Sequence, residues 1–280
     1  MSIQVPTDRP ELVGLRILCL SDTHDMQQFM PGECDELPTV DILVHAGDFT
    51  VRGTSEEIGN FRDWMERILQ KQIAKYVVVV AGNHELTFEP WKAKHAAVRS
   101  RQEATKASLT SIPNLFYLED TGIEVAGLKF YGSPWVTPIG GKMDWAFQMR
   151  DHDLGAEKWC SIPDRGSVDI LVTHCPPYGQ GDASVEGAAA GAYSVSQKPL
   201  GHVGSRSLRG RVQQVEPLLH IFGHFHEGYG VSTCESLRTL FINAAICDED
   251  YQPVHAPLLV EFVADRTVRV GALIDSRYHA

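Results

Sequence analysis

No two cysteines in this 280-residue chain are spaced as CxxC, although 6 are present: Cys19, Cys34, Cys160, Cys175, Cys234 and Cys247. That absence excludes zinc-knuckle and thioredoxin-like pairs. It leaves free thiols in a reducing compartment as the expectation, with Cys19 buried inside an apolar run. No apolar stretch approaches the length of a membrane span, and the opening MSIQVPTDRPELVG has no apolar core of signal-peptide length. A cytoplasmic protein with no membrane partner is therefore expected. Basic charge is also scarce. Against 36 Asp and Glu stand 25 Lys and Arg, a formal net charge of -11, and no basic cluster occurs. Long nucleic acid is thus disfavoured as a partner. A small phosphorylated substrate is not, because bound cations can dominate the local field of a site. Finally, no internal repeat or linker divides the chain. With 43% hydrophobic and 22% charged residues it reads as one domain over 1–280 with an ample core; the sequence sets no oligomeric state.

What is present is a series of short apolar runs. Leu15 to Leu20, Val40 to Val44, Tyr76 to Ala81, Val168 to Thr173 and Leu218 to Phe222 suit strands buried on both faces of a sheet. After the second run, Thr54 and Glu57 have capping-box spacing, and Ile58, Phe61, Met65, Ile68 and Leu69 recur on one helical face. A second helix is expected from about Trp91 to Leu109. Ile123 to Tyr131 reads as two strands around Ala126-Gly127. Thr239 to Ala244, Leu258 to Val263 and Thr267 to Val270 read as further strands, the last two joined by a turn at Asp265-Arg266. Strand and helix alternate early and strand follows strand later, which suggests two sheets packed face to face with helices outside. The Gly-, Ala- and Ser-rich stretch 179–205 is long for a connection within a compact domain. It reads either as a mobile loop or as a substrate-side insertion.

The chemistry sits just past the apolar runs. They lead into Ser21-Asp22-Thr23-His24, His45-Ala46-Gly47-Asp48, Gly82-Asn83-His84-Glu85, His174-Cys175-Pro176 and Gly223-His224-Phe225-His226. In open α/β sheets ligands gather at the carboxyl ends of the strands, so these Asp, Asn and His side chains can converge in one cleft. Carboxylate, amide and imidazole groups suit divalent Mn, Fe, Zn, Co or Ni, and no cysteine is required. Asp48 is central in chain order and is the candidate to bridge two ions. Gly47, Gly82 and Gly223 permit tight turns beside the ligands. His45 is expected to support the metal shell by a hydrogen bond rather than join it, and Cys175 to pack structurally.

These elements resemble the signature of the calcineurin-like metallophosphoesterases: D-x-H, G-D, G-N-H-E, H and G-H-x-H, here Asp22/His24, Gly47-Asp48, Gly82 to Glu85, His174 and His224/His226. Within that superfamily, HAGDFT, AGNHELTFE, GSPW, DILVTHCPP, FGHFHEGYG and INAA look like the MPPED-type metallophosphodiesterases. Some animal members of that group carry glycine where His224 stands. The resemblance implies a four-layer α/β/β/α sandwich with two mixed sheets and a dinuclear metal centre, Mn favoured. It implies one ion on Asp22, His24, Asp48 and His226, and a second on Asp48, Asn83, His174 and His224. His84 would act as general acid toward the leaving group while a metal-bridging hydroxide attacks in line.

A phosphodiesterase on a small substrate such as a cyclic nucleotide is the leading expectation. A phosphomonoesterase acting on nucleotides or phosphoproteins, and a catalytically silent scaffold of the same fold, are the alternatives. Arg52 and Trp135 are candidates for substrate binding. Arg52 could equally be a surface residue, and Trp135, Trp145 and Phe147 could equally be core.

Overall fold

The computed structural model describes residues 3–6, 10–30, 37–89, 96–138, 143–185, 199–263 and 267–272. The first sheet is built on β2 (Arg16–Leu20), β3 (Val40–His45), β4 (Ala74–Val79) and β5 (Leu115–Tyr117), which run parallel. Antiparallel strands β14 (Leu258–Val263), β15 (Thr267–Ala272) and β1 (Ile3–Pro6) extend it, in the order β1-β15-β14-β2-β3-β4-β5. The second sheet centres on parallel β7 (Leu128–Ser133), β8 (Ile170–Thr173), β11 (Leu219–Phe222) and β13 (Leu237–Asn243). β6 (Thr121–Val125) and β12 (Gly230–Cys234) close its edges antiparallel. Both sheets are thus mixed. A small hairpin, β9 (Ala183–Val185) and β10 (Pro199–His202), stands apart from them.

Side chains on a strand alternate between faces, and here both faces are apolar. Ile17, Cys19, Ile42, Val44, Val78 and Val80 meet Phe130, Ile170, Val172, Leu219, Ile221 and Ile242 of the other sheet in one buried cluster. The intervening Leu18, Leu20, Leu43, Val77 and Val79 face outward, in the cluster that also holds Ile58, Phe61, Trp64, Met65 and Ile68 of α1 (Ser55–Gln70). On the second sheet Leu171, Phe222 and Phe241 share that outer cluster with Leu208, Val212 and Val215 of α4 (Arg206–Val215). Continuous apolar runs therefore give a four-layer α/β/β/α sandwich, because each strand must satisfy a sheet on one side and a helix on the other.

The local signals act where they were expected. Thr54 accepts from the Glu57 amide at 3.2 Å, and the Glu57 carboxylate accepts from the Thr54 amide at 2.8 Å, capping α1. Ala126 and Gly127, at φ of 51° and 78°, turn β6 into β7. The second helix, α2, runs Ala96–Thr110; 91–95 of its expected start lie outside the described residues, as do Asp265-Arg266, Cys34 and 186–198 of the expected insertion. Two helices went unanticipated: α3 (Asp151–Glu157) and α4. α4 starts on a Ser205 cap but carries Gly210 and three arginines, so its apolar stripe is thin.

Candidate metal centre

The parallel strands of both sheets end at the same place. Asp22 follows β2, Asp48 follows β3, and Asn83 to Glu85 follow β4; His174 follows β8, and His224 and His226 follow β11. The structure brings all of these together between the two sheets. Asp22, His24 and His226 form one group of mutually close ligand atoms, Asp48, His174 and His224 a second, and His24, Asp48 and His84 a third. The Nε2 atoms of His24 and His226 are 3.3 Å apart, and His226 Nε2 is 3.3 Å from Asp22 Oδ1. His174 Nε2 lies 3.0 Å from Asp48 Oδ2, and His84 Nε2 lies 3.8 Å from it.

The turns that allow this are strained. Asp22, His24, Asp48 and His224 have φ of 53°, 43°, 53° and 71°, the left-handed region that non-glycine residues avoid. The surrounding hydrogen bonds hold them there. Both oxygens of Asp22 accept from the His224 amide at 3.1 Å, and Asp48 Oδ1 accepts from the His84 amide at 2.8 Å. The packing leaves no room for a methyl group beside them: a Cβ on Gly223 would fall 1.9 Å from Asp22 Oδ2, and one on Gly82 would fall 2.3 Å from Asp48 Oδ1.

Ring orientation bears on what the cluster can hold. Nδ1 of His24, His84, His174 and His226 each faces a backbone carbonyl, of Thr50, Val51, Ala46 and Asp248, at 3.2, 2.7, 2.8 and 2.7 Å. A carbonyl can only accept, so Nδ1 carries the proton and Nε2 turns a lone pair into the cleft. Nε2 of His24 and Nε2 of His226, 3.3 Å apart, cannot both keep a bare lone pair: either His226 holds a proton against Asp22 or a cation takes its place. On the other side, the buried atoms Asn83 Oδ1 and His224 Nε2 have no hydrogen-bond partner, and His174 Nε2 faces Asp48 Oδ2 at 3.0 Å. Buried acceptors are seldom orphaned. These acceptors belong to groups that bind divalent metals, so the residues present fit two cations.

Electrostatics agrees with this. Burial opposes ionisation of Asp22 and Asp48, but His226 for the first and His174 for the second outweigh it and hold both carboxyls below their usual range. Burial likewise opposes charge on His174, yet Asp48 prevails and lifts it to about 9. Burial and the adjacent His174 push His224 down to about 3. Two anionic carboxylates among imidazoles that cannot all be charged make a cleft suited to added positive charge.

Glu85 was part of the motif without a role, and the structure supplies one. It is fully buried. Its carboxylate accepts from the amides of Gly82, Asp48 and Thr50 at 2.6, 3.0 and 2.9 Å and from the Thr50 hydroxyl at 2.8 Å. It thereby ties the loop bearing Asp48 to the loop bearing Asn83. His45 pairs its Nε2 with the hydroxyl of Thr23 at 3.0 Å, between Asp22 and His24, and packs against Phe49, Phe61 and Trp64. His220 repeats this on the second sheet, with Nε2 2.8 Å from the hydroxyl of Thr173, next to His174. Nothing in the sequence around His220 pointed to that. Cys175 is buried, and burial pushes its thiol up to about 12, as structural packing requires.

The aromatic candidates separate. Trp135 is 7% exposed, donates its indole N–H to Asp120 Oδ2 at 2.9 Å and sits under the Lys158 ammonium; it is core. Trp145, for which core packing is the favoured reading from sequence, is half-buried, with its ring centroid 4.3 Å from that of His84. Arg52 is exposed, with its guanidinium carbon 5.6 Å from the Trp145 ring centroid.

Comparison with known proteins points the same way. The family model described as calcineurin-like phosphoesterase matches residues 15–228. The human and mouse proteins named metallophosphoesterase domain-containing protein 1 are each 34% identical over 274 residues, which is 94% of this chain and 76% of theirs. UPF0046 protein T07D4.2 of Caenorhabditis elegans is 32% identical over 263 residues, 88% of this chain and 60% of its own length.

Proposed function

Because this chain belongs to the calcineurin-like phosphoesterase family, and is accordingly a metal-dependent phosphoester hydrolase, we propose that it cleaves small phosphodiesters, a cyclic nucleotide being the model substrate. The observation that carries the metal assignment is the pair of buried acceptors without partners, Asn83 Oδ1 and His224 Nε2, with the buried Asp48–His174 and Asp22–His226 pairs. By the family resemblance Asp48, Asn83, His174 and His224 would hold one ion and Asp22, His24, Asp48 and His226 the other; the closeness of Asp48, His174 and His224, and of Asp22, His24 and His226, supports that reading. Bound divalent ions, Mn favoured, supply charge stabilisation to the phosphoryl oxygens and lower the pKa of a water at the site.

The chain's own residues supply the rest. His84 keeps Nδ1–H on the Val51 carbonyl at 2.7 Å, which leaves Nε2 facing the cleft. As an imidazolium it carries a second proton on Nε2 and gives that one to the departing oxygen, help worth about 10²–10⁴-fold, leaving the neutral Nδ1–H tautomer. Glu85 holds the Asp48 and Asn83 loops in register. Arg52 would meet substrate charge at the rim, a reading that its exposure beside Trp145 supports. His84 also stands near His24 and Asp48 as a geometrically possible ligand. The assignment of His84 as acid rather than ligand rests on the family resemblance.

The five described cysteines are free, which suits a reducing compartment such as the cytoplasm. Among the described residues no helix is long and apolar enough to cross a membrane. The net charge of -11 favours a small substrate over long nucleic acid. One catalytic domain with a substrate-side insertion in 179–205 accommodates these features. The diester preference is supported by the MPPED-type segments around the ligands. A panel of mono- and diesters assayed with added Mn²⁺ tests it: hydrolysis of a diester is expected to be fastest, and faster turnover of monoesters than of every diester would overturn it.

A further inference from the structure

The mechanism leaves unused an aromatic ring that lies against the cluster. Tyr251 sits on the loop between β13 and β14, and its ring centroid is 4.7 Å from that of His24, 5.7 Å from His226 and 6.0 Å from His84. It is 43% exposed. A ring placed only to seal the histidines would be covered. Its backbone is left-handed, φ 59°, a conformation that a residue with a Cβ seldom adopts and that needs holding. The holding group is the Asp248 carbonyl, which accepts from the Tyr251 amide at 3.0 Å and from His226 Nδ1 at 2.7 Å. The Asp248 carboxylate closes the same turn by accepting from the amides of Asp250 and Gln252 at 3.0 and 2.8 Å. One carbonyl therefore sets both the histidine and the aromatic ring.

Trp145 is the matching wall. Its half-buried ring lies 4.3 Å from His84 at an interplanar angle of 31°. The Ala146 amide donates to the Asn83 carbonyl at 3.0 Å, which fastens the tryptophan's segment to the loop of another metal-site residue. Each aromatic is thus hydrogen-bonded through its own loop to the cluster, and each keeps part of its ring accessible. The other exposed large apolar residues include Val51, Met143 and Val254, on the loops that carry His84's carbonyl partner, Trp145 and Tyr251. Apolar side chains and the exposed Arg52 thus stand together on the loops around the polar metal cleft.

We propose that Trp145 and Tyr251 form an aromatic slot beside the metal centre that selects phosphoesters whose organic group is a planar aromatic ring. The slot rests on the phosphoesterase reading above. It adds a specificity element that the metal ligands do not provide, because the ligands grip only the phosphoryl group. Stacking on an aromatic wall discriminates between a flat ring and a small alkyl group on the order of tenfold in affinity.

Calorimetric titration of the Mn²⁺-loaded full chain with phenylphosphonate and with methylphosphonate tests this, since the two ligands share the phosphonate and differ in the ring. The wild-type protein is expected to bind phenylphosphonate on the order of tenfold more tightly. Trp145→Ala and Tyr251→Ala should each lower the ratio of phenylphosphonate to methylphosphonate affinity, and Tyr251→Phe should retain it. Equal affinity for the two phosphonates in the wild type, or a preference that survives both alanine variants, would overturn the slot and leave the phosphoesterase reading standing. Failure of both phosphonates to bind the metal-loaded protein would overturn that reading, and the slot with it.

Discussion

Replacing Glu85 probes how far the site depends on one buried carboxylate. In Glu85→Ala the amides of Gly82, Asp48 and Thr50 lose their acceptor, while the Thr50 hydroxyl can still turn to the His84 carbonyl at 3.3 Å. A buried donor left unsatisfied costs about 1–3 kcal/mol. Three such donors in one place share relaxation and do not add fully, so a loss of about 4 kcal/mol is expected, against a total stability of roughly 5–15 kcal/mol. For a chain of this size that lowers Tm by roughly 10 °C. Glu85→Gln retains one acceptor oxygen but sets an NH₂ against the remaining N–H donors, so roughly half the effect is expected. Because the lost bonds join the Asp48 loop to the Asn83 loop, metal content should fall along with Tm. Thermal melts monitored by circular dichroism, with elemental analysis of the purified variants, read both. A Glu85→Ala protein melting within about 2 °C of wild type with full metal content would refute the reasoning.

Other perturbations address single assignments. Asp48→Ala should lose both metal occupancy and activity, whereas His84→Ala should keep its metal and slow by about 10²–10⁴-fold; elemental analysis showing an emptied site in His84→Ala would make that residue a ligand. Gly223→Ala must displace Asp22, because the new Cβ would stand 1.9 Å from its Oδ2, so occupancy of the Asp22, His24 and His226 group should fall. Burial, with the Arg209 charge adding to it, pushes His220 down to about 3, so the folded state resists a proton that the unfolded chain takes up below the ordinary value of 6.5. The stability this contributes is present above pH 6.5 and is lost progressively as pH falls toward 3, by about 2 kcal/mol at pH 5. In His220→Leu the drop in urea stability between pH 7 and pH 5, measured on chelated protein, should be smaller by about that amount; an unchanged drop would show that His220 does not carry it.

Legibility of this molecule follows from what kind of information each feature needs. The strands bearing the ligands were visible because a strand covered on both faces must be apolar throughout, and its first polar residue then marks its end; Leu20 before Ser21-Asp22 and Phe222 before Gly223-His224 are such boundaries. Motif order along the chain supplied the rest of the ligand set. The left-handed backbone at Asp22, His24, Asp48 and His224 was not visible, because residue type does not announce a conformation that only the surrounding hydrogen bonds impose. His220 stayed hidden for a related reason. It reads as one more residue of a buried strand, and its partner Thr173 is brought beside it only by the parallel pairing of β8 with β11.

The tryptophans show where residue type stops being informative. Trp135 and Trp145 are equally able to line a pocket, and they lie on the same stretch between β7 and α3. Their fates are decided by neighbours remote in sequence. Asp120 and Lys158 satisfy the indole and ring face of Trp135 and draw it into the core, whereas Trp145 meets His84, whose own position follows from Asp48 and Val51. Tyr251 is placed by a turn whose key acceptor, the Asp248 carbonyl, is shared with His226. Ligand chemistry is therefore readable from short motifs, because each motif must present a fixed donor at a strand end. Substrate choice depends on rings positioned through those donors, so it becomes readable only once the sheets have brought the strand ends together.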